Sequence, residues 1–431
     1  MMLRGLFNRI RHSSLVHATG IYTFTGVLNG SVIFLLLPVL TRYLSPEEYG
    51  IVANFRVLVS FVLPLIGFFP PIGRQFFDRD KLDFRSYMAN ILLTIFINAL
   101  IVGALLFFVS GMVERYAAYP ATWLWAVLLF ALGKSLVQTI LLLWRVEVKP
   151  YRYGILQIAE TIVSVAAAIL FVVVLGLGWQ GAVEADAYAM LLFGAAAVVF
   201  IVTSGWFKPR FRWSYIVDIF AFSAPLILHT WGRTIITMVD RIFITNLVGI
   251  GEAGIYAAGC QIGMIIFVIT ASFNNAWMPY LFEKLKEDNA RSKLRIVRFL
   301  YLYFVAVLLG SLALGWIAPP FISFFLGRDF SDSARFVPWI ALGFAFNAMY
   351  WMVVSFITYT KKTYIIAIIT VATSALNLAM NYNFIKVYGS IGAAYAAAIT
   401  FFILFVVTWI VSARVFPMPW GLKIKKEFTA D

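Results

Sequence analysis

Apolar runs of about 20 residues follow one another along this chain, each broken by a short polar or basic stretch. At 1.5 Å per residue, a run of that length is what an α-helix needs to cross the roughly 30 Å hydrocarbon layer of a bilayer. Twelve such helices fit, at 17–40, 49–72, 87–110, 123–144, 154–177, 183–206, 216–245, 251–279, 297–318, 336–358, 363–384 and 391–413. The alternating pattern of barrel strands is absent, so the periodicity predicts an all-α integral membrane protein. Composition adds an exclusion: with 62% hydrophobic and only 13% charged residues among 431, a sizeable soluble domain has no room.

The two halves repeat each other. A shift of 211 places lays Tyr153–Ala187 on Tyr364–Ala398 without a gap, pairing Gly178, Gly181, Ala182, Ala185 and Ala187 with Gly389, Gly392, Ala393, Ala396 and Ala398. A second match sets Leu44 on Leu247 and, after a one-residue insertion, Glu48-Tyr49-Gly50-Ile51 on Glu252-Ala253-Gly254-Ile255. Six helices are an even number, so the halves enter the membrane from the same side and form a parallel repeat about an axis along its normal. The expected architecture is an N-terminal six-helix bundle, 1–212, and a C-terminal one, 213–431, with a cleft between them.

Charge sets the orientation. Of 34 Lys and Arg, 25 fall in the segments that face inward if the N-terminus is cytoplasmic, and five (Arg42, Arg115, Arg328, Arg335, Lys386) fall in the outer ones. The positive-inside rule then places both termini in the cytoplasm and reads Arg4, Arg9 and Arg11 as the flank of a signal-anchor first helix. The net charge of +14 is spent in those short clusters, which argues against nucleic acid. A lone Cys260 excludes an intramolecular disulfide and a cysteine-based zinc site. His12, His17 and His229 have no metal-ligand spacing, and no phosphate-binding or dinucleotide loop opens a helix. Neither an enzyme, a metal centre nor a cofactor is expected, and without an ATP site the chain fits facilitated or ion-coupled movement.

Four basic residues remain inside the predicted membrane helices: Arg56, Lys134, Arg233 and Arg241. Each costs roughly 2.5 to 3.5 kcal/mol on insertion scales, a cost that suggests a use. His229, Arg233 and Asp240 share one face of the seventh predicted helix at spacings of four and seven. Guanidinium and ammonium groups in a low-dielectric cavity select an anion, so Arg56, Lys134, Arg233, Arg241 and His229 are the candidate cargo contacts. Glu160 and Asp240 are the candidates for coupling to H+ or Na+. Structural alternatives stand beside each: a Lys134–Glu160 bridge, an Arg241–Asp240 pair, a snorkelling Arg56, a packed His229. Glu184 and Asp186 sit near the outer end of helix 6, where solvation accounts for them. Trp231, Trp277 and Tyr350 are candidates to stack on sugar rings. Gly20, Gly26, Asn29, Gly30, Pro64 and Pro225 are expected to disturb their helices, and Asn274, Asn275 and Pro279 to end the eighth.

Two stretches carry a family resemblance: Leu36-Leu37-Pro38 with Thr41-Arg42-Tyr43-Leu44-Ser45-Pro46-Glu47-Glu48-Tyr49-Gly50, and Ser223-Ala224-Pro225 through Asp240-Arg241 to Gly254-Ile255-Tyr256. On these the chain resembles the polysaccharide (O-antigen type) flippases, in the superfamily shared with multidrug and toxin extruders and lipid II flippases. The resemblance implies paired six-helix bundles like those of the toxin extruders. It also implies alternating-access transfer of an undecaprenyl-pyrophosphate-linked oligosaccharide from the cytoplasmic to the periplasmic leaflet of a bacterial inner membrane. The partners implied are the lipid-linked glycan, membrane lipids and other polysaccharide-assembly proteins. Two departures separate it from its cousins: it lacks the two further helices of lipid II flippases, and helix 1 lacks the acids usual in the first bundle of drug extruders. A cation-coupled drug or toxin antiporter on the same fold is the rival expectation.

Overall fold

The computed structural model describes residues 14–67, 70–79, 82–287 and 289–422. Of the basic residues used for the topology, Arg4, Arg9, Arg11, Lys81, Lys423, Lys425 and Lys426 lie outside them, as does His12. The described residues form helices and turns, with no strand among them. In chain order the helices are α1 (Ser14–Tyr43), α2 (Pro46–Gly67), α3 (Ile72–Phe77), α4 (Phe84–Ala117), α5 (Leu124–Val146), α6 (Pro150–Ala168) and α7 (Gly178–Thr203). There follow α8 (Trp213–Met238), α9 (Asp240–Leu247), α10 (Ile250–Gly263), α11 (Ile265–Lys286), α12 (Ala290–Phe325), α13 (Val337–Tyr359), α14 (Thr363–Tyr388) and α15 (Ile391–Val415). Among the described residues eleven helical segments are long and apolar enough to span a bilayer, and they coincide with the second to twelfth predicted helices. The first prediction falls on α1, a helix of 30 residues.

Local chemistry explains several starts and one surprise. Ser45 and Glu48 form a reciprocal capping box at α2: the Ser45 N–H donates to Glu48 Oε2 at 2.9 Å and the Glu48 N–H donates to Ser45 Oγ at 3.2 Å. The seventh predicted helix is broken at Val239 and resumes as α9 at Asp240, whose carboxylate receives the Arg241 N–H at 2.9 Å. Pro279 was expected to end the eighth helix; instead α11 runs through it to Lys286. Pro64 and Pro225 likewise lie inside continuous helices, α2 and α8. In a membrane helix the freed backbone groups are re-satisfied by neighbours, so proline alone does not stop the run.

The chain packs as two compact units that part between Trp231 and Gly232, inside α8. The repeat boundary at 212/213 is a statement about sequence similarity and is separate from this division. The start of α8 packs with the first unit: Asp218 accepts from Arg74, from Gln75 Nε2 at 2.7 Å and from the Tyr87 hydroxyl at 2.8 Å. The most extensive helix contact in each unit is the equivalent pair, α5 on α7 in the first and α13 on α15 in the second.

Repeat-matched residues do matching jobs. Gly178 and Gly389 both have left-handed backbone, φ 58° and 68°, the first opening α7 and the second in the turn before α15. Glu48 Oε1 accepts the N–H of Trp179, and Glu252 Oε2 accepts the hydroxyl of Ser390 at 2.6 Å. Trp179 and Ser390 are 211 residues apart, so one carboxylate in each half reaches the same place on the equivalent helix. Arg335 adds a bond to Glu252 at 2.7 Å that the first half lacks.

Candidate functional site

Five helices of the first unit converge on a cavity of about 290 Å3, α1 through Leu36, and every charged side chain on its wall comes from the interior of a helix. Arg56 enters from α2, Lys134 from α5, Glu160 and Ser164 from α6, and Asp186 from α7. The approach of α5 to α7 depends on Gly133 and Gly194: a Cβ on Gly194 would lie 2.7 Å from the Gly133 Cα, and one on Gly133 would strike the Met190 carbonyl. Backbone contact at Gly133 brings its neighbour Lys134 to the cavity wall.

Lys134 Nζ donates to Glu160 Oε1 at 2.5 Å, and Glu160 is only 5% exposed. The second carboxylate oxygen of Glu160 is buried with no hydrogen-bond partner among the described residues. Asp186 Oδ1 accepts the Ser164 hydroxyl at 2.8 Å. Arg56 is half-buried and holds no ion pair among the described residues. It is the eleventh of the 22 residues of α2, about 15 Å from the start of that helix and so at hydrocarbon depth. Lys134 is thus a compensated charge, and the cavity lining holds two cations and two carboxylates. Sequence reasoning put Asp186 with the solvated residues; Ser164, four residues after Glu160 and on the same helical face, was the signal that could have drawn it in.

The remaining charged candidates lie around the end of α8, His229 in the first unit and Arg233, Asp240 and Arg241 in the second. Arg233 is exposed on α8 and holds no ion pair among the described residues. It lies near Tyr350, whose hydroxyl bonds Thr370 of α14. Next to it, the Ser374 hydroxyl donates to the Gly232 carbonyl at 2.9 Å, fixing α14 against this end of α8. His229 is half-buried one turn earlier. Arg241 and Asp240 are both buried and form a closed joint at the helix break. Arg241 Nη1 lies 3.6 Å from Asp240 Oδ1 and donates to the Thr237 carbonyl at 3.3 Å, and the Tyr256 hydroxyl donates to Asp240 Oδ2 at 2.5 Å. That geometry corresponds to the structural alternative for the pair. Of the aromatic candidates, Trp231 is tied by its Nε1 to the Phe61 carbonyl at 3.0 Å, and Trp277 packs in a buried cluster with Leu281 and Leu300.

Membrane-spanning helices in repeated halves, with charged side chains facing an internal cavity, define a transporter-type fold, and comparison with known proteins agrees. The profile described as polysaccharide biosynthesis protein matches residues 15–284, and a second, MatE, matches residues 225–383. The chain belongs to the polysaccharide biosynthesis protein family. An uncharacterized membrane protein of Haemophilus influenzae is 26% identical over 379 residues, 85% of this chain and 89% of that one. The inward-facing conformation of a multidrug resistance MATE family transporter of the MOP superfamily superposes with a TM-score of 0.68 at 15% identity, over 96% of this chain and 95% of that one. The inward closed conformation of the lipid II flippase MurJ gives 0.67 at 15% identity, over 96% and 91%. The fold is therefore that of the MOP-superfamily transporters and flippases.

Proposed function

We propose that this protein is a flippase that carries an undecaprenyl-pyrophosphate-linked oligosaccharide, a repeat unit of O-antigen or another surface polysaccharide, from the cytoplasmic to the periplasmic leaflet by alternating access. The observation that carries the reading is Arg56. A guanidinium at hydrocarbon depth, on a cavity wall and without a carboxylate partner among the described residues, favours a site for an anion that arrives and leaves. Arg233 offers a second uncompensated cation in the other unit. The family assignment supports a polysaccharide cargo, and the fold shared with a lipid II flippase supports a lipid-linked one. Glu160, bonded to Lys134 through one carboxylate oxygen and with the other buried without a partner among the described residues, is the group we assign to coupling with H+ or Na+.

The test is surface-polysaccharide assembly in cells whose only copy of the protein is altered. Arg56→Gln and Arg233→Gln are each expected to lower assembly at least tenfold at unchanged protein level, since a charge-assisted bond to phosphate contributes about 1.5 to 3 kcal/mol. Normal assembly by both variants would sink the reading.

A second reading, a cation-coupled drug or toxin antiporter, is favoured by one observation: Glu160 and Asp186 give the same cavity two carboxylates. Resistance to cationic dyes that rises on expression and is lost in Asp186→Asn supports it; unchanged resistance removes it.

A further inference from the structure

The junction of α11 and α12, in the second unit, encloses a cavity of about 330 Å3 that takes no part in the reading above. Its lining combines three aromatic rings, Trp277, Tyr280 and Phe299, with Lys284, Ser292 and Arg295. Trp277 stacks on Phe299 with ring centroids 4.7 Å apart and lies 5.4 Å from Tyr280. Trp277 is 6% exposed, yet its Nε1 has no hydrogen-bond acceptor among the described residues. Buried indole N–H groups normally find one.

The cations here keep donors to spare. Lys284 donates to Glu287 Oε1 at 2.6 Å, and Arg295 makes one long bond, 3.4 Å, to the Ser292 hydroxyl. Arg291, Lys293 and Arg298 lie in the same first turns of α12, where the helix dipole is also positive. Away from the cavity α12 continues as a stripe of exposed apolar residues at steps of three and four, Phe299, Leu302, Val305, Leu309, Leu312 and Trp316. Seventeen steps of 1.5 Å from Phe299 to Trp316 make that stripe about 25 Å long. Donors and positive charge at one end and a long apolar face at the other are the shape of a phospholipid.

We propose that this cavity holds the phosphate headgroup of an anionic glycerophospholipid, whose acyl chains lie along the α12 stripe. Basic pockets beside interfacial aromatics are where anionic headgroups gain most, roughly fivefold in affinity for each Lys or Arg near the surface. The experiment uses the full chain in nanodiscs containing phosphatidylglycerol and phosphatidylcholine, followed by stepwise delipidation and native mass spectrometry of the lipid retained. Wild type is expected to keep phosphatidylglycerol over phosphatidylcholine. Lys284→Gln/Arg295→Gln is expected to lower its apparent affinity roughly 25-fold, and Trp277→Phe, which keeps the packing but removes the N–H, severalfold with an unchanged Tm. Lys361→Gln/Lys362→Gln removes the same charge from an exposed turn elsewhere and is expected to change nothing. The proposal is overturned by equal retention in wild type and the Lys284/Arg295 variant, by an equal loss in the Lys361/Lys362 control, or by displacement of phosphatidylglycerol by inorganic phosphate alone, which would make the cavity a free-phosphate site.

Discussion

A charge inside a membrane protein is defined by its partner, and the four Lys and Arg candidates divide on that ground. Lys134 has Glu160, Arg241 has Asp240, and Arg56 and Arg233 have no carboxylate among the described residues. Breaking a buried pair from one side leaves an uncompensated charge and is more damaging than removing both partners. Glu160→Gln is therefore expected to cost about 3 kcal/mol, read as a fall in Tm in detergent, and Lys134→Met/Glu160→Gln to recover most of it; equal Tm for the two variants would show that the pair carries no such energy. What the sequence made legible here is the set of buried charges, because insertion cost makes each stand out from an apolar run. Both pairings could be named from the sequence as alternatives to cargo contacts, but choosing between the two roles was not legible, since the Lys134–Glu160 bond joins α5 to α6 in space and no periodicity reveals that packing. Asp186 escaped for the same reason: it is near a helix end in sequence and on a cavity wall in space.

Among the elements, the existence of each helix was the most readable feature and the breaks the least. Glycine and alanine gave the 211-residue repeat and glutamate a second match at a different shift, and the structure gives Gly178 and Gly389, and Glu48 and Glu252, matching tasks in each half. Gly389→Ala meets open space and bears only the left-handed strain, about 1 to 2 kcal/mol. Gly178→Ala bears that strain and also drives a Cβ into Glu48 Oε1, so it is expected to lower Tm more; the opposite order would refute the shared design. The break at Val239 was not foreseen, because Asp240 and Arg241 beside it were read as charges on one face of a continuous helix rather than as a joint between two. A polar start at α4 makes a pH prediction. Asp83 caps that helix, and its bond to Lys208 at 3.0 Å, helped by those from Ser86, holds its carboxyl down at about 2 against the ordinary 3.8. A depressed carboxylate stabilises the fold above its unfolded value and loses that contribution as pH falls from about 4 to about 2. Asp83→Asn is expected to flatten the decline of Tm across that window, and an identical slope in variant and wild type would rule the cap out as its source.

For the molecule as a whole, hydropathy alone carried the fold class, because lipid leaves a chain so few solutions. The orientation drawn from the basic residues is testable on a quiet background, since the one cysteine, Cys260, is buried. In intact cells Asp329→Cys, in an exposed turn expected outside, should react with a membrane-impermeant maleimide, and Ser204→Cys, expected inside, should react only after lysis. The reverse pattern would invert the chain and the direction of transport with it.

The solitary guanidinium of α2 has one more effect, on electrical work. A transmembrane voltage of 100 mV acts on each elementary charge with about 2.3 kcal/mol over the full drop, and a bonded ammonium and carboxylate that move together feel almost none of it. On the proposed function, Arg56 feels its full share when the carrier is empty and less once an anionic headgroup screens it. Loaded and unloaded journeys thus respond differently to polarisation of the cell, so dissipating the potential with an ionophore should alter turnover in wild type and leave the residual turnover of Arg56→Gln less affected.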